Sequence, residues 1–285
     1  MIQRCTHLLA AFALALLVMP AFADETSGNT DPVEQLAWQV GPNTARLGSQ
    51  ATLQVPKGYR FLDSANSHKL EELMHNPPSE GELYTLAPDD LHWIALLSFD
   101  AIGYVKDDEK LDADALLKSV QEGTEASNEE RRKRGWGAIH ATGWSFKPQY
   151  DPQSHRLEWA IIGENEQTKG QTINYNTRLL GRHGVMNVVV LADPETLTAS
   201  INEFKGMLPG YEFNDGERYA QFKAGDHVAE IGLAALVTGG AAAIAAKKGL
   251  FATIGIALVK FWKLLLVGIA AAGAAIKRFF SRDKT

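Results

Sequence analysis

LHWIALLSFDAIGYV, Leu91 to Val105, decides how the rest of this 285-residue chain is read. It is too long and too bulky for a loop and has strand character, and we expect it at the centre of a sheet. Upstream, Gly81 to Leu86 is a second strand, and Ser67 to His75 (SHKLEELMH) is a short helix with Leu70, Leu73 and Met74 on one face, ended before Pro77 and Pro78. Before it, ARLGSQATLQVPKGYRFLD alternates Ala51, Leu53 and Val55 and stops at Pro56 and Gly58, which reads as strands and a turn. Residues 24–44 are a lead-in whose first part, Asp24 to Pro32, is polar, turn-rich and expected to be disordered.

Downstream of the central run, Asp107 to Arg134 is the main helix, with Leu116, Leu117 and Val120 as its core face and the pairs Glu129/Lys133 and Glu130/Arg134 on its solvated face. Its opening acidic residues, Asp107, Asp108, Glu109, Asp112 and Asp114, lack the alternating ligands and central glycine of a calcium loop and suit a helix N-terminus. Four strands follow: Gly137 to Pro148, His155 to Ile162, Ile173 to Leu180 and Met186 to Leu191, the first two joined by a turn built on Asp151-Pro152. Pro194 to Leu208 is a closing helix. The fold class is α+β: an antiparallel sheet of about six to eight strands with two main helices, in a domain over 45–227 large enough to bury one core without staples.

The two ends of the chain place that domain. Met1 to Ala23 has Arg4, a short apolar core from Leu8 to Met19 and Ala21-Phe22-Ala23 as a cleavage signature, so residues 1–23 read as a secretory signal peptide. The single cysteine, Cys5, leaves with it, and the mature chain has no disulfide. At the other end Leu250 to Ile276 is about 27 residues interrupted by Lys260 and Lys263 alone, longer at ~1.5 Å per residue than the ~30 Å of a bilayer core. Residues 250–280 therefore read as a transmembrane anchor, with an amphipathic helix lying in the interface as the alternative, and 281–285 as a basic tail. A second apolar run, Val228 to Ala246 within 228–249, is rich in alanine and glycine and is a possible second span that would make a helical hairpin.

Charge separates these parts. The chain has 28 basic and 34 acidic residues, net −6, whereas residues 228–285 carry about +6 and the remaining mature domain about −13. That balance argues against nucleic acid as a ligand, and Lys277, Arg278, Arg282 and Lys284 suit a cytoplasmic end with the domain exported. Lys247 and Lys248 would lie outside in a single pass and inside in a hairpin.

The segments GYVKDDEKLDADALL, RGWGAIHATGW, PQYDPQSHRLEWA, NYNTRLLGRHGVM and GDHVAEIGLAAL, with the earlier VPKGYRFL, resemble in order the bacterial proteins grouped as domain of unknown function 2167. That resemblance implies a signal peptide, an exported domain and a C-terminal anchor in Gram-negative bacteria, and no established activity. Strands opening on a VPxGY-like turn are also similar to the PsbP/Mog1-type α+β fold.

Enzyme templates find no purchase. The sequence contains no GxSxG, HExxH, CxxC, GxxxxGK[ST] or GxGxxG, and Ser145, Ser154, His140, His155 and Asp151 show no spacing that makes them a set. Trp93, Trp136, Trp144 and Trp159 stand in strands and read as core. One polar constellation stands out, because period-two alternation in INYNTRLLGR puts Asn174, Asn176 and Arg178 on one strand face. Arg182 follows at the turn, and Asp151 and His155 lie in the turn before the neighbouring strand, where a hydrogen bond between the two is the plain reading. The arginines either pair with Asp151 or Glu158 and fix the sheet edge, or present a fork for a carboxylate or phosphate on a partner.

The expectation is a membrane-anchored exported protein, single-pass in the bacterial inner membrane with its domain in the periplasm, acting as a structural or interaction module of the cell envelope. The alternative is a ligand-binding or hydrolytic domain using the polar face around Asn174 to Arg182. No cofactor or metal is expected. The partners expected are membrane lipid and another envelope protein, or a second copy bound through the apolar C-terminal segments.

Overall fold

A computed structural model describes residues 31–74 and 79–239 of the chain. The chain divides into two compact units, Met1–Ala241 and Ala242–Thr285, and every described residue lies in the first. The expected signal peptide, the expected anchor over 250–280 and the expected basic tail fall outside the described residues.

The central run is the fourth strand of an eight-stranded antiparallel sheet. In chain order the elements are β1 (Gln39–Val40), β2 (Asn43–Leu47), β3 (Ala51–Val55), β4 (Tyr59–Leu62), α1 (Ser64–Leu73), β5 (Leu83–Pro88) and β6 (Trp93–Asp100). There follow α2 (Ala113–Lys133), β7 (Ile139–Asp151), β8 (Arg156–Asn165), β9 (Gln171–Leu180), β10 (Val185–Ala192), α3 (Leu197–Met207), β11 (Tyr211–Phe213) and α4 (Leu233–Thr238). The large sheet has the order β1-β4-β5-β6-β10-β9-β8-β7, and β11-β3-β2 form a separate three-stranded sheet. The expected strand count is met by the large sheet. The early strands β2 and β3 leave it because their apolar residues cover one of its faces.

That face is packed by Leu47, Leu53 and Val55 of the small sheet and by Leu197, Phe204 and Met207 of α3, against Trp93, Ala95 and Leu97 of β6 and Met186, Val188 and Val190 of β10. The opposite face carries two separate clusters. Leu70 of α1 meets Leu83, Ile94, Leu96, Val189 and Leu191. Leu116 and Val120 of α2, with Leu233, Leu236 and Val237 of α4, meet Leu157, Trp159, Ile161, Leu180 and Val185. With both faces covered, β10 is buried at every position, and alternation disappears from its sequence.

Several boundaries differ from expectation for identifiable reasons. The fold starts before Ala45. Arg60 is clamped by Glu34 at 2.6 and 2.9 Å and lies 4.6 Å from the Trp38 ring, so much of the lead-in packs on the sheet, where β1 pairs with β4. α1 opens at Ser64 because the Asp63 side chain caps it by accepting from the Asn66 N–H, and this start turns Leu73 outward, 38 % exposed. α2 opens at Ala113 under the Asp112 cap. The acids before it are used elsewhere: Asp107 accepts from the Tyr150 hydroxyl at 2.8 Å, and Glu109 accepts from the Ala234 N–H at the start of α4 at 3.0 Å. Arg134 pairs with Glu130 as expected, but Lys133 turns to Glu130 rather than Glu129. β6 ends at Asp100, after which Tyr104 pairs in parallel with Val228. Gly184, in the β9–β10 turn, lets strands close up: a Cβ there would sit 2.1 Å from the Asp100 carbonyl oxygen.

The possible second span is overturned in its first half. Val228 bridges to Tyr104, α4 is six residues long and buried against α2, and Gly239 ends it in the left-handed conformation at φ 64°. Alanine and leucine there serve a protein core rather than lipid. Among the described residues no helix is long and apolar enough to cross a membrane.

Two joints fix these layers and generate predictions. Asn128, fully buried on α2, accepts from the Ile139 N–H at 2.9 Å and donates to the Ile139 carbonyl at 2.8 Å, acting as a strand partner for β7. Asn128→Ala is expected to cost about 2–4 kcal/mol in urea unfolding because it strands both backbone groups. Ser127→Ala, whose hydroxyl serves its own helix, should stay within about 0.5 kcal/mol. On the other face His92 bridges Asp90 at 2.6 Å and Glu203 at 3.0 Å, and Glu203 accepts from the Tyr59 hydroxyl at 2.7 Å, so α3 is tied to β4 and to the turn before β6. Burial opposes charging of the His92 imidazole, but hydrogen bonds to the two carboxylates outweigh it and raise its pKa. A raised pKa adds stability that is complete below the unfolded value of about 6.5 and fades as pH rises through the folded value. The stability difference between wild type and His92→Gln should accordingly shrink from pH about 6 to about 8; a difference flat across that window would show that His92 stays neutral.

Candidate functional site

Between the α1 cluster and the α2/α4 cluster the sheet is polar. Directly opposed residues of antiparallel strands share a face, and the register pairs Asn187 of β10 with Ser98 of β6 on one side and Arg178 of β9 on the other. Asn176 and Asn174 continue this face along β9, opposite Trp159 and Ile161 of β8, and Asp100 continues it along β6. Ser98, Asn174, Asn176, Arg178 and Asn187 are each at most 5 % exposed, while Asp100 is half-buried at the end of the row. The result is a polar belt inside the molecule, walled by apolar clusters.

Arg178 dominates its electrostatics. The guanidinium lies 4.7 Å from the Trp159 ring and donates to the Thr177 carbonyl at 3.1 Å, and among the described residues no carboxylate pairs with it in contact. Burial pushes its pKa down to about 10, partly offset by the charge of Asp100. Asp100 accepts from Asn187 Nδ2 at 2.8 Å, and burial raises its pKa against that bond and the pull of Arg178. The Asn176 amide donates to the Asn174 carbonyl at 3.1 Å. Among the described residues the Ser98 hydroxyl and the Trp159 indole N–H find no hydrogen-bond partner.

The other residues singled out from sequence lie apart from the belt. Arg182, in the β9–β10 turn, makes a two-pronged pair with Asp226 at 2.7 and 2.7 Å and donates to the Gly216 carbonyl at 3.3 Å. The pair holds the Asp226 carboxyl well below the usual range, helped by the Lys223 N–H. Asp151 holds its own turn, accepting from Ser154 Oγ at 2.6 Å and the Gln153 N–H at 2.9 Å. His155 turns away from it at φ 49°, stacking 4.2 Å from Tyr219 with Nδ1 3.3 Å from the Tyr150 hydroxyl. Tyr104 continues that stack between Tyr219 and Phe222 at 4.4 and 4.1 Å. Neither expected arginine partner is the real one. Glu158 faces the opposite side of the sheet, where it binds Tyr175 at 2.6 Å and Lys205 at 2.9 Å. Among the described residues no group of three His, Cys, Asp or Glu is placed to hold a metal.

Residues 39–270 match the family described as Protein of unknown function (DUF2167). The chain belongs to this family. Among solved structures, the chain is similar to the solution structure of cyanobacterial PsbP (CyanoP) from Synechocystis sp. PCC 6803, at 9 % identity and a TM-score of 0.37, over 66 % of this chain and 98 % of that one. Among curated proteins none matches.

In this member of the family, the belt residues that alternation in β9 alone did not find are Ser98, Asp100 and Asn187. A signal for them existed: WIALLSFD and VMNVVVLA each interrupt a continuous apolar strand with isolated polar residues. The two arginines should separate in a stability measurement. Arg178→Met relieves a buried cation while Asp100 keeps its bond to Asn187, so its urea midpoint should imply a change within about 1 kcal/mol. Arg182→Met strips Asp226 of its partner and should melt clearly below wild type. A large loss at Arg178 would instead make it half of a structural pair with Asp100.

Proposed function

We propose that this protein is a single-pass inner-membrane protein whose α+β domain is exported and works as a structural or interaction module of the bacterial envelope. The observation that carries this reading is the bridge of Val228 to Tyr104 and the burial of α4 in the domain core. It leaves ten residues of the possible second span, 240–249, a stretch that even if wholly helical would measure only about 15 Å against a bilayer core of about 30 Å. The single long apolar stretch downstream is then the anchor, and the basic residues after it lie inside under the positive-inside rule. The A-F-A signature before Asp24 supports export.

An interaction role is favoured by how the domain spends its polar groups. Arg182, Asp151 and Glu158 are committed to internal partners, and Asp107, Glu109 and Asp112 before α2 act as hydrogen-bond acceptors or caps. The partners proposed are membrane lipid and a second envelope protein, or another copy of the chain, bound through the apolar C-terminal segment.

A reporter active in the periplasm alone should be silent when fused after Thr285 and active when fused after Gly225, and protease added to spheroplasts should degrade the domain. Activity after Thr285 would restore two crossings. A domain resistant in intact spheroplasts yet degraded after lysis would refute export.

A further inference from the structure

Two opposite charges share the buried belt without touching. Arg178 stands on β9 and Asp100 on β6, two strands apart with β10 between, about 10 Å at the strand axes. The face of the guanidinium is covered by Trp159, and one N–H is used by the Thr177 carbonyl, which leaves further in-plane donors. Asp100 holds the Asn187 amide and no cation in contact among the described residues. Asn187 sits in register between Arg178 and Ser98, and the Ser98 hydroxyl and the Trp159 N–H are buried without partners among the described residues. Buried polar groups are nearly always hydrogen-bonded, so unpartnered ones on the same sheet face as an uncompensated guanidinium mark a place whose partner comes from outside the chain.

We propose that the belt binds a small zwitterion of the amino-acid type, its carboxylate on the in-plane N–H groups of Arg178 and its ammonium on Asp100. The charges select this class. A simple anion would meet Asp100 and a simple cation would meet Arg178, whereas a neutral molecule with both charges leaves neither belt charge unpaired. The amides of Asn187 and Asn176 and the Ser98 hydroxyl supply neutral donors and acceptors around it. Ser98, Asn187, Asn176 and Arg178 are more deeply buried than Asp100, so entry is from the Asp100 end, and glycine, the smallest of the class, is the probe that fits such a site most readily. This site needs no particular membrane topology.

The test is calorimetric titration of the full chain in detergent micelles with glycine and with its two halves, acetate and methylammonium, at constant ionic strength. Glycine should bind, and each half should bind at least about tenfold more weakly, since it leaves one charge unpaired. Asp100→Asn should weaken glycine about tenfold while strengthening acetate, and Arg178→Met should abolish binding of both. Should Arg178→Met fail to fold, the change of preference in Asp100→Asn carries the test. Absence of glycine binding to wild type overturns the proposal and leaves ordered water as the belt's partner. Acetate binding as tightly as glycine overturns it in favour of an anion site, and glycine binding that survives in folded Arg178→Met places the site elsewhere.

Discussion

The pairing of β6 with β10 is the constraint on which the rest of the molecule depends. These two strands run antiparallel over eight residue pairs at the middle of the large sheet, and helices or a second sheet lie over both of their faces. Over its buried length a strand so placed has no solvent side. Every side chain on it is either core or must find its partner inside, which is why Leu96, Val188 and Val190 are unexceptional while Ser98 and Asn187 demand an account. The belt exists because α1 and α2 cover different ends of one face, and polar residues occupy the ground between their clusters.

The segment from β11 to α4 depends on the same sheet in another way. It is fastened at the β9–β10 turn by the Arg182–Asp226 fork and by the Arg182 N–H bond to the Glu217 carbonyl at 2.8 Å. It is fastened again where Tyr104 pairs with Val228, and α4 is capped by Glu109 from the stretch before α2. These attachments bind chain segments far apart in sequence to the point where the described domain ends. A pull on Gly239 is thus received by the sheet and by α2 together.

Much of this was legible in the sequence, and the exceptions share a cause. The eight-stranded sheet, the β7–β8 turn at Asp151-Pro152 and the polar face of β9 follow from local alternation and turn chemistry. Partners did not, because pairing of Arg182 with Asp226 or of Arg60 with Glu34 is set by tertiary placement across many residues. The run from Val228 misled for a physical reason: a helix buried in a protein core and one buried in lipid require the same hydropathy. What distinguishes them here is the length of α4 before Gly239 and the Glu109 cap, and the cap is visible only once the chain is folded.

Magnitudes decide whether the belt serves stability. At the roughly 10 Å of two strand spacings and an effective dielectric constant of about 20, Arg178 and Asp100 attract by about 1.7 kcal/mol. Taking each ion out of water costs several kcal/mol, and the pair lacks the direct contact and dense hydrogen bonding that would offset it. Apolar residues on these positions, continuing the neighbouring Leu180 and Val185, would make a cheaper core. On these magnitudes the polar row between the two clusters adds little to the stability of the fold, so stability alone does not account for its residues.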